Sequence, residues 1–168
     1  DAPHAPAPAA PQPVTLPARL GHILCLDDFE RAARKHLPKP VFAYISGAVE
    51  RNHSLRANAL SFEQYEFLPR MLVDITQRTT AATVLGRRWS APFGIAPMGI
   101  SALSAYRGDL VQARAAAAEG VPMIMSGSSL IPLEEVMAAA PGTWFQAYLP
   151  GEIDRIEALV DRVDRADV

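Results

Sequence analysis

Three short segments carry side chains able to grip a flat, polar ligand. They read Pro97-Met98-Gly99, Ser126-Gly127-Ser128 and Gln146-Ala147-Tyr148, and each lies at the end of an apolar run with strand character. Together they offer a small backbone-exposing segment, a hydroxyl, and an amide beside a phenol. Such a polar, nearly uncharged set suits the hydrogen-bonding edge of a planar ring better than a phosphate or a metal ion, which call for formal charge. The competing reading is that Ser126 and Gln146 only satisfy strand-end backbone groups and that Tyr148 is core. Metal chemistry finds little support. The single cysteine, Cys25, cannot form an intrachain disulfide or a Cys-rich zinc site, and beside Leu24 and Leu26 it reads as a buried structural thiol. The four histidines fall in the tail (His4), the linker (His22), a charged helix end (His36) and a polar loop (His53), all expected at the surface. Arg51, Arg56, Arg87 and Arg88 read as surface or packing charges.

The elements that must position the three segments follow from periodicity. Phe93–Ala96, Pro122–Ser126 and Trp144–Tyr148 read as strands; Asp109–Glu119, closed by Gly120, and Leu133–Ala139, broken by Pro141-Gly142, read as helices. Ile153, Ile156, Leu159, Val160 and Val163 fall on one face of a third helix ending near Val163. This βαβαβα alternation predicts a parallel sheet covered by helices, and in an α/β barrel of that kind the active site lies at the C-terminal strand ends. Upstream, Asp27 or Asp28 is expected to cap a helix running to His36, and Pro38 and Pro40 separate it from a helical turn over Val41–Ser46. Ser54–Tyr65 reads as helix then loop, and Phe67–Asp74 as extended. A hairpin is expected from Thr79–Leu85 and Arg88–Ser90, turning at Gly86-Arg87.

At 168 residues, 49% hydrophobic and 20% charged, the chain can bury a core. Its net charge of −2 gives no basic field for nucleic acid. Residues 1–20, with prolines at 3, 6, 8, 11, 13 and 17, form a Pro/Ala-rich extended tail, with a docking segment for a proline-reading module as the lesser alternative. Residues 21–168 form the folded part. No run of about 20 apolar residues is present, so the chain reads as soluble or a soluble piece of a longer one, and its single cysteine suggests a reducing compartment; the expected location is cytoplasmic, with membrane association as the variant. The alternation stops after three strands, whereas an α/β barrel needs about 250 residues. The chain is therefore expected to be the N-terminal part of a larger folding unit and inactive by itself.

Six segments, Leu37–Ala48 (LPKPVFAYISGA), Phe67–Asp74 (FLPRMLVD), Thr83–Gly86 (TVLG), Phe93–Gly99 (FGIAPMG), Leu133–Val136 (LEEV) and Trp144–Tyr148 (WFQAY), occur in order. Together they closely resemble the N-terminal half of the FMN-dependent 2-hydroxy acid dehydrogenases and oxidases, the family of glycolate oxidase, L-lactate dehydrogenase and mandelate dehydrogenase. The resemblance runs from about Leu26 to Val163. It implies an α/β fold that is the N-terminal half of a (β/α)8 barrel, preceded by helices and a β-hairpin, with FMN at the C-terminal face. It implies oxidation of a small L-2-hydroxy acid to a 2-oxo acid by hydride transfer to flavin N5, with an unspecified electron acceptor and a homo-oligomeric assembly.

By the same resemblance Tyr44 is the phenol that binds the substrate carboxylate. Pro97, Met98 and Gly99 lie against the flavin near N5, Ser126 and Gln146 bond the pyrimidine edge, and Tyr148 is the second active-site tyrosine, near the substrate hydroxyl. The family's catalytic histidine, substrate-binding arginine, flavin-contacting lysine and phosphate loops are expected beyond Val168, in the same polypeptide or a separate one. Glycolate oxidases carry tryptophan where this chain has Ser128, which implies a differently shaped substrate wall. Glycine at position 99, alanine in several oxidases, leans toward an acceptor other than oxygen. The rival readings are a noncatalytic fragment or assembly subunit of such a barrel, and an unrelated α/β-barrel enzyme.

Overall fold

A computed structural model describes residues 17–168, so most of the expected tail, with His4, lies outside the described residues. The chain divides into two compact units, the division falling after Phe42. In the first, the described end of the tail is a 3-10 turn at Ala18–Leu20 rather than extended chain. Helix α1 spans Leu26–His36. Its N-cap position is held by Cys25, not by an aspartate. Asp28 works from the first turn, its Oδ2 accepting Leu24 N at 2.7 Å and Cys25 N at 3.1 Å. Cys25 is exposed, which corrects the expectation of a buried thiol. Acidic residues at the start of α1 and Arg34, Lys35 and His36 at its end both suit the helix dipole. Leu37 then turns extended, as the residue before a proline must. Helix α2, Lys39–Ser46, starts two residues earlier than expected because Pro40 sits in the first turn, where no intrahelical N–H is needed.

The second unit holds helix α3, His53–Leu60, continued by a 3-10 turn to Gln64. Strands β1, Ala82–Val84, and β2, Arg87–Trp89, form an antiparallel hairpin with Ala82 opposite Trp89. Its two-residue turn is Leu85-Gly86, both at positive φ, so the turn lies one residue before the expected Gly86-Arg87. The parallel part consists of helix α4, Gly108–Glu119, strand β3, Ile124–Ser126, helix α5, Leu133–Ala139, strand β4, Trp144–Gln146, and helix α6, Ile153–Arg165. β3 and β4 pair in parallel, Ile124 with Trp144 and Ser126 with Gln146.

All three expected strands come out shorter, Pro122–Ser126 keeping only Ile124–Ser126. Phe93–Ala96 is reduced to a single parallel bridge from Ile95 to Met123, with Ile95 N donating to Pro122 O and Ile124 N to Ile95 O. Pro92 and Pro97 lack the N–H groups to extend it. Gly94 approaches the Pro122 carbonyl so closely that no Cβ could stand there. β4 stops at Gln146, not Tyr148, because its neighbour turns away at Gly127, where Ser129 N donates back to Ser126 O.

Side chains alternate across this sheet. Met123 and Met125 are buried against Leu110, Ala113 and Ala116 of α4 and Leu133, Val136 and Met137 of α5, with Phe145 packed beside them. Ile124, Ser126, Trp144 and Gln146 therefore face the other way. On α6, Ile156, Leu159 and Val163 are half-buried while Ile153 and Val160 stay exposed, so its apolar face is narrower than the spacing suggested. Arg162 grips Glu134 of α5 with two parallel hydrogen bonds of 2.7 and 2.8 Å.

Candidate active site

The inward side of the sheet forms two layers. At the N-terminal ends Ile124 and Trp144, with Val84, Pro92, Phe93 and Ile95, line an apolar hollow of about 280 Å³. Two residues further on, at the C-terminal ends, the layer turns polar. The Ser126 hydroxyl, 2% exposed, donates to Gln146 Oε1 at 3.2 Å and accepts Ser128 N at 3.2 Å. Ser126 thus serves a strand-end backbone group, as the competing reading had it, and also fixes the Gln146 amide. With Oε1 engaged, the two Nε2 protons of Gln146 are the donors left for a ligand.

Gly99 borders the same pair. A Cβ built there would meet the Ser128 side chain at 3.4 Å and the Ser126 hydroxyl at 3.8 Å, so the Gly99 backbone lies close against the two serines. Ile100 N donates to Ser128 O at 3.2 Å, joining the loop after Gly99 to the loop after β3. Tyr148 flanks this group, for a Cβ on Gly127 would come 3.2 Å from its ring. At 62% exposure Tyr148 is not a core residue, which corrects that alternative.

The structure therefore brings Gly99, Ser126, Ser128, Gln146 and Tyr148 to one end of the sheet. Tyr44 stands on α2, 77% exposed, outside this hydrogen-bonded group. His22, His36 and His53 are exposed, as expected, and Arg87 is a packing charge stacked 4.4 Å over the Trp89 ring. No group of three or more metal-ligating side chains occurs among the described residues. Sequence reasoning passed over Asp109, a carboxylate buried behind these loops. Its signal was an acid in the first turn of α4 with serines following two strand ends.

Residues 33–168 match the family of FMN-dependent dehydrogenases. The chain belongs to this family. It is 37% identical over 158 residues to a putative L-lactate dehydrogenase of Mycobacterium tuberculosis, covering 93% of this chain and 38% of that protein. It is 36% identical over 125 residues to (S)-mandelate dehydrogenase of Pseudomonas putida, covering 74% and 32%. A crystal structure of mandelate oxidase superposes with a TM-score of 0.78 at 38% identity, over 84% of this chain and 42% of that one. The fold is thus the N-terminal part of an α/β barrel, with the preceding helices and hairpin expected. The chain spans about a third to two fifths of the length of these relatives.

FMN is the family's cofactor, and the strand-end group fits it. The donors and acceptors are uncharged and directional, matching a ring edge that both donates and accepts. Beside them Gly99 carries no side chain, so nothing but backbone stands between it and the two serines. Among the described residues no helix is long and apolar enough to cross a membrane.

Proposed function

We propose that this chain supplies the flavin-ring and substrate side of an enzyme that oxidises a small L-2-hydroxy acid to the 2-oxo acid. In this reading residues 21–168 are the N-terminal part of the catalytic domain and residues 1–20 a tail. The observation that carries it is the Ser126–Gln146 pair beside Gly99 at the C-terminal strand ends, where barrel enzymes place their chemistry. When bound, FMN supplies two-electron acceptance at N5, which the 2-hydroxy acid requires.

The chain's own residues bind and orient. Gln146 Nε2 donates to a carbonyl on the pyrimidine edge of the ring, and Ser126 holds that amide in place. Pro97, Met98 and Gly99 lie against the ring near N5. Tyr148 hydrogen-bonds the substrate hydroxyl, and Tyr44 donates its phenol proton to the substrate carboxylate. Phenols do this without adding a charge that would have to be desolvated. The small Ser128 leaves space in the substrate wall for a bulky 2-substituent. Partners in this reading are the rest of the barrel, an electron acceptor other than oxygen and further copies of the same subunit. The enzyme works in the cytoplasm or at a membrane surface.

The test is anaerobic mixing of the purified whole protein with L-lactate and L-mandelate. Flavin absorbance that bleaches with at least one L-acid and persists with its D-enantiomer is expected. Protein that carries no flavin, or flavin that no 2-hydroxy acid reduces, favours a noncatalytic assembly subunit.

A further inference from the structure

Asp109 lies on the first turn of α4 at 1% exposure, and none of the roles proposed above uses it. Its Oδ2 accepts the Ser101 hydroxyl at 2.8 Å and the Ser129 hydroxyl at 2.8 Å. These serines belong to different loops. Ser101 follows the Pro97–Gly99 segment, and Ser129 follows Ser126 and Ser128. The Ser129 hydroxyl also accepts Ile131 N at 3.1 Å, and Ser129 N donates to Ser126 O at 3.0 Å. The helix start is seated tightly on the first loop, since a Cβ on Gly108 would come within 2.8 Å of Ser101 Oγ.

A buried carboxylate is costly unless its lone pairs are met, and bonds to an ionised acceptor are stronger than those between neutral groups. Here one carboxylate oxygen binds the two loops that carry Gly99 and Ser126. The Ile100–Ser128 backbone bond ties the same loops at a second point. Fixed at two points, the loops cannot slide past one another.

We infer that Asp109 is a positioning residue for the flavin site: through Ser101 and Ser129 it sets the separation between the Pro97–Gly99 segment and Ser126, so that both meet one bound ring. The inference rests on the FMN reading above. It makes the back of the site as important to ring placement as the groups that touch the ring.

The whole protein, stripped of FMN and titrated with FMN, tests it through flavin fluorescence, the visible circular dichroism of bound flavin and the unfolding midpoint of the apoprotein. Asp109→Ala is expected to weaken FMN about tenfold, equivalent to about 1.4 kcal/mol, and to alter the visible dichroism. Asp109→Asn, which keeps an acceptor oxygen, binds FMN more tightly than Asp109→Ala. Ser101→Ala and Ser129→Ala each weaken binding alone and add nothing to Asp109→Ala. Gln146→Ala is measured alongside. If Gln146→Ala weakens FMN while Asp109→Ala lowers only the apoprotein midpoint, with affinity and dichroism unchanged, the inference is overturned and the flavin reading stands. If neither variant alters FMN binding, the flavin reading fails and takes the inference with it. Should Asp109→Ala not fold, the Ser101→Ala/Ser129→Ala double variant decides, and unchanged affinity and dichroism overturn the inference.

Discussion

The two ends of the short parallel sheet are built for different purposes. At the N-terminal ends the hairpin covers the strands with aromatic and apolar groups. Trp89, 6% exposed, meets Trp144 edge to face at 6.1 Å, and Arg87 lies over Trp89 while donating to Pro141 O. At the C-terminal ends, two residues further along the same strands, the inward positions are Ser126 and Gln146, and the phenol of Tyr148 stands exposed. One end buries apolar surface and holds the fold. The other holds directional polar groups arranged by one another, with the Ser126 hydroxyl buried and bonded to the Gln146 amide. A barrel can vary the second end without losing the first, which is how one fold supports many chemistries.

Substitutions at the two ends should therefore separate stability from function. The largest effect is expected from Trp89→Ala, which removes the edge-to-face contact and the surface under Arg87. It should destabilise the FMN-free whole protein by about 3–5 kcal/mol in denaturant unfolding, while the folded fraction keeps its FMN affinity. Trp89→Phe sharpens the point. It loses some volume but also removes the indole Nε1–H, which is buried without a hydrogen-bond partner. Its stability should stay within about 1 kcal/mol of wild type.

In the roles proposed for them, the two tyrosines, Tyr148 beside the polar strand ends and Tyr44 on α2, should differ in kind. A carboxylate contact exists in both ground and transition states, so Tyr44→Phe should chiefly raise KM. A bond to the reacting hydroxyl strengthens as its proton leaves, so Tyr148→Phe should chiefly lower kcat. FMN content should survive both changes. Steady-state kinetics of the whole enzyme would decide, and two variants with unchanged parameters would remove both phenols from the site.

The smallest effect is expected on the helical layer outside the sheet. Hydrogen bonds from the Arg162 guanidinium hold the Glu134 carboxyl down to about 2 from an ordinary 4.5. A carboxyl lowered in the folded state contributes stability above about pH 4.5 and loses it as pH falls toward 2. Glu134→Gln should therefore be slightly less stable than wild type at neutral pH, with the difference shrinking below pH 4.5. Added salt should shrink it further, because the pair is exposed. Unfolding midpoints across that pH range would check this.

Much of this was legible from residue pattern. Gly120 and Pro141-Gly142 mark where α4 and α5 end, and the apolar run after each marks β3 and β4. The misses trace to pairing and capping partners that a run of residue types does not show. The hairpin turn falls on Leu85-Gly86 because pairing of Ala82 with Trp89 sets the register, and a non-glycine residue accepts positive φ to keep it. Cys25 is exposed because α1 needs an N-cap position, not a buried thiol, at that point. The Ser126–Gln146 bond spans 20 residues, and Asp109 joins serines eight residues before it and 20 after. No local pattern announces such pairs, although placing serines and the amide at strand ends brought the site within reach.

Titration of FMN into the flavin-free whole protein carrying Ser126→Ala, Gln146→Ala or both tests the polar end most directly. Each single substitution should weaken binding about tenfold or more, as loss of a directed bond to a buried partner does. The double variant should lose less than the sum of the two, because Ser126 acts partly by holding Gln146. FMN affinity unchanged in both single variants would contradict the assignment of the strand ends to the flavin and leave Ser126 and Gln146 as ordinary strand-end residues.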